Sequence, residues 1–202
     1  VYSSGGFRQL GNATKPVHVP DDMKGLKWRT TKSPVEFMLV KNWGATPTPY
    51  DWSQLYSGLQ SGVVEGQYVA SPWQHVAKLH EVAKYFTEIG GMWSGNILAM
   101  DAKQYNALSA QEKKWLHTAA DAYGEKVNEL DNAWIKNGED AIKASAKEWY
   151  VPSEAEMSKW RAGAIGAWLD AKGTFEPAVA KRVLMEQGMD GFVAQLEAAG
   201  AL

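Results

Sequence analysis

Arg29 ends the apolar run Leu26-Lys27-Trp28-Arg29, and the carboxyl end of a strand in an α/β sheet is where ligands gather. Its planar fork can meet a carboxylate with two parallel hydrogen bonds, which a lysine ammonium cannot copy. A solvated surface arginine is the competing reading of the same residue. Other candidates for chemistry are sparse. His75 and His80 are five apart in a segment expected to be helical, on different faces and outside any HExxH arrangement. There is no GxSxG elbow and no GxxxxGK[ST] phosphate loop. Gly90 and Gly91 signal a turn that would let a ligand approach the backbone. The acidic pairs Asp21-Asp22 and Glu139-Asp140 lie in hydrophilic contexts and read as solvated faces. The sequence thus offers an anion-binding group, with no catalytic constellation, metal set or cofactor motif.

The elements that would position Arg29 alternate in type over the first hundred residues. Leu26–Thr30, Val63–Ala70 and Trp93–Met100 are candidate strands. Ser33-Pro34-Val35-Glu36 opens a helix, with Ser33 as cap and Glu36 placed to close a capping box. Asp51-Trp52-Ser53-Gln54 opens the next helix, and Ser71-Pro72 a third that should run to about Glu88. Strands alternating with single helices predict βαβ units and a largely parallel sheet. From Ser109, paired with Glu112 in a capping box, apolar residues recur at Leu116, Ala120, Tyr123, Val127, Leu130 and Trp134. This is one helical stripe that could reach about Glu148. Tyr150-Val151-Pro152 breaks it, Ser153 caps the next helix, and helices fill the remainder. Gly58, Gly62 and Gly66 recur every four residues, a sign of close packing and a turn.

Composition limits the function classes. With 202 residues, 45% of them hydrophobic, the chain can bury a sizeable core. Its 21 Lys and Arg balance 23 Asp and Glu, which argues against nucleic acid as a partner. No apolar run approaches the roughly 20 residues that a spanning helix needs, and no export leader opens this chain. Without cysteine there is no disulfide or thiolate chemistry. The ten Trp are an unusual supply of rigid wall material.

Several spaced words make the chain similar to the solute-binding proteins of TRAP (tripartite ATP-independent periplasmic) transporters. Gly6-Phe7-Arg8-Gln9, Lys15-Pro16-Val17 and Pro20-Asp21-Asp22-Met23-Lys24-Gly25-Leu26-Lys27-Trp28-Arg29 resemble that family's "G-x-R-Q … P-I … P-x-D-L-K-G-L-K-I-R". Gly44-Ala45-Thr46-Pro47-Thr48-Pro49 matches "G-A-x-P-T-P". Residues 55–67, LYSGLQSGVVEGQ, are similar to "Y-x-A-L-Q-x-G-V-V-D-G-Q", and Glu81-Val82-Ala83-Lys84-Tyr85 to "E-V-x-K-Y". The words occur in the right order, within about the first ninety residues.

The resemblance implies an α/β, periplasmic-binding-protein-like two-lobed fold of class II type, here partial, with a long helix and a helical C-terminal part. Residues 1–108 would form an α/β ligand-binding lobe with hinge strands, 109–149 the lobe-spanning helix and 150–202 a C-terminal helical segment. The family's chains carry a further α/β segment before "G-x-R-Q", so this chain is expected to lack most of one lobe and any export signal. The family's carboxylate anchor falls on Arg29, with Arg8 as a second ligand-facing arginine and Trp52 as a pocket aromatic. Gln67, Tyr68 and Val69 occupy the word that many members continue as "E-N-P", and Gly91 stands where many carry a His. Lys32 could add a cation, and Trp93 a wall. With Asn and His partners replaced, the ligand's far end is expected to be apolar or aromatic.

The implied function is capture of a small organic carboxylate outside the cytoplasm, in the periplasm, by interlobe closure, with delivery to the transporter's membrane subunits. It implies no covalent chemistry, cofactor, metal, nucleic acid or direct membrane insertion. A ligand-binding sensor module of similar fold and an enzyme acting on an organic acid are the alternatives.

Overall fold

The structure is a computed structural model that describes residues 2–202. In chain order it contains β1 (Tyr2–Asn12), β2 (Lys27–Thr30), α1 (Pro34–Asn42), β3 (Thr46–Pro49), α2 (Leu55–Ser61), β4 (Gly66–Ala70), α3 (Ser71–Val76), β5 (Tyr85–Thr87) and β6 (Trp93–Ile97). The second half holds α4 (Ala102–Ala107), α5 (Ala110–Ser145), β7 (Glu148–Tyr150), α6 (Glu154–Asp170), α7 (Pro177–Glu186) and α8 (Asp190–Ala199). The strands lie in the order β3-β2-β4-β1-β5-β7, and β6 pairs with β1 outside that path.

The sheet is mixed, not largely parallel. β2 runs parallel to β3 and β4, and β5 parallel to β7, as alternating strands and helices predict. β1 lies antiparallel between β4 and β5. Its first half leaves them to pair with β6, with a register shift between Ser4 and Phe7. The Gly-rich sequence YSSGGFRQLGN has no apolar alternation to announce this strand. The short strands β3, β5 and β7 likewise carry no alternation long enough to mark them.

One face of the sheet buries Trp28, Tyr68 and Leu10 against Leu39 and Val40 of α1, Trp43 just after it, and Trp160 and Ala167 of α6. The Trp43 indole N–H donates to the Trp160 carbonyl at 3.1 Å, fixing α6 on α1. On the other face Phe86 packs with Ile142 of α5, and α5 crosses α3 at Gly138, where a Cβ would stand 2.7 Å from Pro72. Gly66 lies flat under Trp28, whose ring atoms would be 2.4 Å from a Cβ, and Gly62 turns the chain with φ +74°. The glycine spacing therefore serves packing and a turn.

Ser33, Ser109 and Ser153 each cap a helix, and Ser109-Glu112 and Ser153-Glu156 close full capping boxes. Ser33-Glu36 does not. Its serine hydroxyl accepts from the Glu36 N–H, but the Glu36 carboxylate turns away. The helix expected from Ser71 to Glu88 stops at Val76. Lys78 has φ 56°, a 3-10 turn spans Leu79–Glu81, and Leu79 drops into the core formed by Leu55, Leu59 and Val64. Tyr85–Thr87 is then free to pair with β1 and β7. This break brings His75 and His80 together, with ring centres 5.2 Å apart, instead of placing them on separate faces. The long helix ends at Ser145, three residues short of expectation, because Glu148–Tyr150 joins the sheet. Of its expected stripe, Val127 is buried whereas Leu116, Tyr123 and Leu130 are exposed. No helix of the described residues is long and apolar enough to cross a membrane.

Candidate functional site

Arg29 stands next to last on β2, at its carboxyl end, and is 5% exposed. Its Nε donates to the Tyr50 carbonyl at 3.0 Å, which aims the guanidinium along the end of the sheet. The guanidinium carbon lies 5.9 Å from the centre of the Trp52 ring. No carboxylate among the described residues pairs with it, and no bond there uses its terminal nitrogens. Burial pushes this group below its ordinary value, Glu36 opposes that, Arg8 adds to it and Asp51 opposes it. An arginine remains charged even so, which leaves a buried cation with its bidentate edge unused.

Arg8 approaches the same place from β1. Its Nη1 donates to Glu36 Oε1 at 3.3 Å and to the Tyr68 carbonyl at 3.4 Å, and its Nε to Ser94 Oγ at 3.4 Å. Glu36, in the first turn of α1, is buried. Its other carboxylate oxygen accepts from the Thr31 N–H at 3.0 Å and from the Thr31 hydroxyl at 2.5 Å. Three donors and no acceptor surround it, the set a carboxylate can satisfy. The site thus holds a buried arginine and a buried glutamate, with the partly exposed Arg8 beside them.

The remaining sequence candidates divide. Trp52 is 41% and Trp93 is 49% exposed, so both present open aromatic surface. The Trp93 indole N–H donates to Ser4 Oγ at 3.0 Å. Lys32 projects into solvent, its ammonium 3.9 Å from Asp51, and borders a depression of about 230 Å³ with Thr31, Ser33, Phe37 and Pro49. Gln67 and Val69 are buried. Gln67 Nε2 donates to Gln74 Oε1 at 2.7 Å, and Gln74 Nε2 donates to the Val69 carbonyl at 2.7 Å. Tyr68 is fully buried and packs edge-on to Trp43, so it is core and not an open wall. Burial pushes its phenol well above the ordinary value. Gly91 lies directly over the Tyr68 hydroxyl, which would stand 2.8 Å from a Cβ there. Gln9 holds this turn by accepting from the Gly90 N–H at 3.0 Å. Glu36, Tyr50 and Ser94 are site residues that sequence reasoning missed. Glu36 carries a visible signal, an acid in the first helical turn after the loop that leaves Arg29, but its spacing from Ser33 reads first as a cap.

The whole of this arrangement, residues 1–172, matches the family described as bacterial extracellular solute-binding protein, family 7 (DctP). The chain belongs to that family, the solute-binding proteins of TRAP transporters. Among its relatives is the ectoine-binding periplasmic protein TeaA of Halomonas elongata, 30% identical over 136 residues, which are 67% of this chain and 40% of TeaA. The solved structure of the TeaA protein has a TM-score of 0.77 at 24% identity, covering 98% of this chain and 63% of that one. A TRAP periplasmic solute-binding protein from Chromohalobacter salexigens, solved with bound D-glucuronate, has a TM-score of 0.76 at 20% identity, covering 98% and 62%. These likenesses show the family's α/β fold. The chain spans less than two thirds of the length of these relatives.

Proposed function

We propose that this chain supplies the carboxylate-binding part of an extracytoplasmic solute-binding protein and delivers a small organic acid to the membrane subunits of a TRAP transporter. The observation that carries the reading is the Arg29 guanidinium, buried at a strand end with its terminal N–H groups unpaired. A buried charge without a partner is costly, and a ligand carboxylate seated bidentately on Arg29 offsets that cost. Arg8, held by Glu36, flanks the carboxylate, and Trp52 covers one side of the guanidinium. The named ligands of the two relatives, ectoine and D-glucuronate, each bear one carboxylate.

Capture proceeds by binding alone, without covalent chemistry. A hinge equilibrium shifts to the closed form because only there does the ligand touch both walls. β1 suits a hinge strand, since its two halves pair with different partners across a register shift. Residues 1–108 then act as a binding lobe, α5 as the element spanning the lobes, and 150–202 as a helical brace. Mass spectrometry of small molecules released from the purified protein tests the reading. A carboxylic acid is expected, and recovery of a cationic ligand instead would overturn it.

A further inference from the structure

We propose that Glu36 determines ligand valency at this site, occupying Arg8 so that the two arginines present one unpaired positive charge and select a single carboxylate over two. The inference rests on the carboxylate-binding reading of Arg29 and adds a residue to it. Arg8 and Arg29 against Glu36 leave a net charge of one cation, with Arg29 and Glu36 buried and Arg8 partly exposed. Glu36 is fixed where it stands. One carboxylate oxygen is held by both donors of Thr31, and the other meets Arg8. The residue cannot swing clear of the site without breaking three hydrogen bonds and leaving both Thr31 donors unpaired.

The electrostatic consequence lies in position. A ligand carboxylate on Arg29 meets a guanidinium that Glu36 influences through space but does not occupy by hydrogen bonds. A second carboxylate reaching toward Arg8 meets a guanidinium already neutralised and, beside it, a desolvated negative charge of its own sign. Like charges brought together in such a setting are strongly disfavoured, because the surroundings screen them poorly. Glu36 thereby lowers affinity for diacids more than for monoacids, whose carboxylate lies on Arg29 and not against the Glu36–Arg8 pair. Its place in the first turn of α1 lets the helix N-terminus favour its charge.

Propionate and succinate make suitable probes, since succinate is propionate bearing a second carboxylate. Both can be titrated into the 202-residue chain and followed by the indole N–H resonance of Trp52. The wild-type chain should favour propionate. Glu36→Gln keeps the shape, removes the charge, and should raise the succinate-to-propionate affinity ratio by about tenfold. Arg8→Gln leaves Glu36 unneutralised and should lower both affinities and push the ratio the opposite way. A ratio within about twofold of wild type in Glu36→Gln would overturn the role of Glu36. If that variant does not fold, an unchanged or increased ratio in Arg8→Gln overturns it. Arg29→Ala separates the valency filter from the carboxylate site beneath it. Loss of response to both probes sustains the carboxylate site whatever Glu36 does, and a wild-type response removes the site and the valency filter together.

Discussion

The guanidinium of Arg29 sits against the ring of Trp52, a 5%-exposed cation beside a 41%-exposed aromatic, with 5.9 Å from guanidinium carbon to ring centre. The contact orients the arginine and shields one side of it from water. A cation and an aromatic ring at this range attract by about 0.5–1 kcal/mol where water still reaches them. Trp52→Ala should therefore weaken carboxylate binding by roughly twofold to fivefold, and Trp52→Phe should restore most of the loss. Fluorescence or calorimetric titration of the two variants checks this, and equal losses in both would mean that the ring's face is not what matters.

Gly91 and Tyr68 form a second dependent pair. The Tyr68 hydroxyl would lie 2.8 Å from a Cβ at residue 91, and the phenol is held in the core by Trp43. Gly91→Ala should cost about 1–3 kcal/mol of stability by overpacking. In a Tyr68→Phe background at least half of that cost should vanish, a coupling that a double-mutant cycle in urea measures directly. An identical cost in both backgrounds would place the strain elsewhere.

Glu156 gives a prediction in pH. Bonds from the Ser153 hydroxyl and N–H, and from the Tyr150 hydroxyl, hold its carboxyl at about 2, below the ordinary 4.5. A carboxyl depressed on folding adds stability that is present above about pH 4.5 and is lost as pH falls toward 2. Urea midpoints should therefore decline across that interval, and less steeply in Glu156→Gln. Superimposable profiles for the two proteins would show that this box does not contribute to acid sensitivity.

Much of the architecture is legible in the sequence where local chemistry decides it. The caps at Ser33, Ser109 and Ser153 rest on a hydroxyl and an N–H within four residues, and all three form. The place of Arg29 at the carboxyl end of a strand is legible as well, whereas its ligand role comes from the family resemblance. The features that escape depend on distant partners. Glu36 has the spacing of a capping box, yet Arg8 from β1 and Thr31 take its carboxylate instead. The segment after Val76 has helical spacing at Leu79 and Val82, but the core around Leu55 takes Leu79 out of register with the helix. β1 is built mostly from glycine, serine and polar residues, and its neighbours on both sides make it a strand.

The same distinction bears on the pocket walls. Tyr68 suggests a pocket wall by its type but packs in the core, so Trp52 and Trp93 are the exposed aromatics of that set. The expectation of an apolar or aromatic ligand tail then leans on Trp52 and Trp93 in place of Tyr68.

Isothermal titration calorimetry of Arg29→Ala and Arg29→Lys, with the acid recovered from the purified protein, tests the central claim. Removing one member of a desolvated charge pair costs about 2–5 kcal/mol, so Arg29→Ala should lose roughly thirtyfold to several thousandfold in affinity. Arg29→Lys should recover little, because an ammonium cannot present the fork that the carboxylate meets. An Arg29→Ala protein that binds the acid within about threefold of wild type would contradict the account and remove Arg29 from the site.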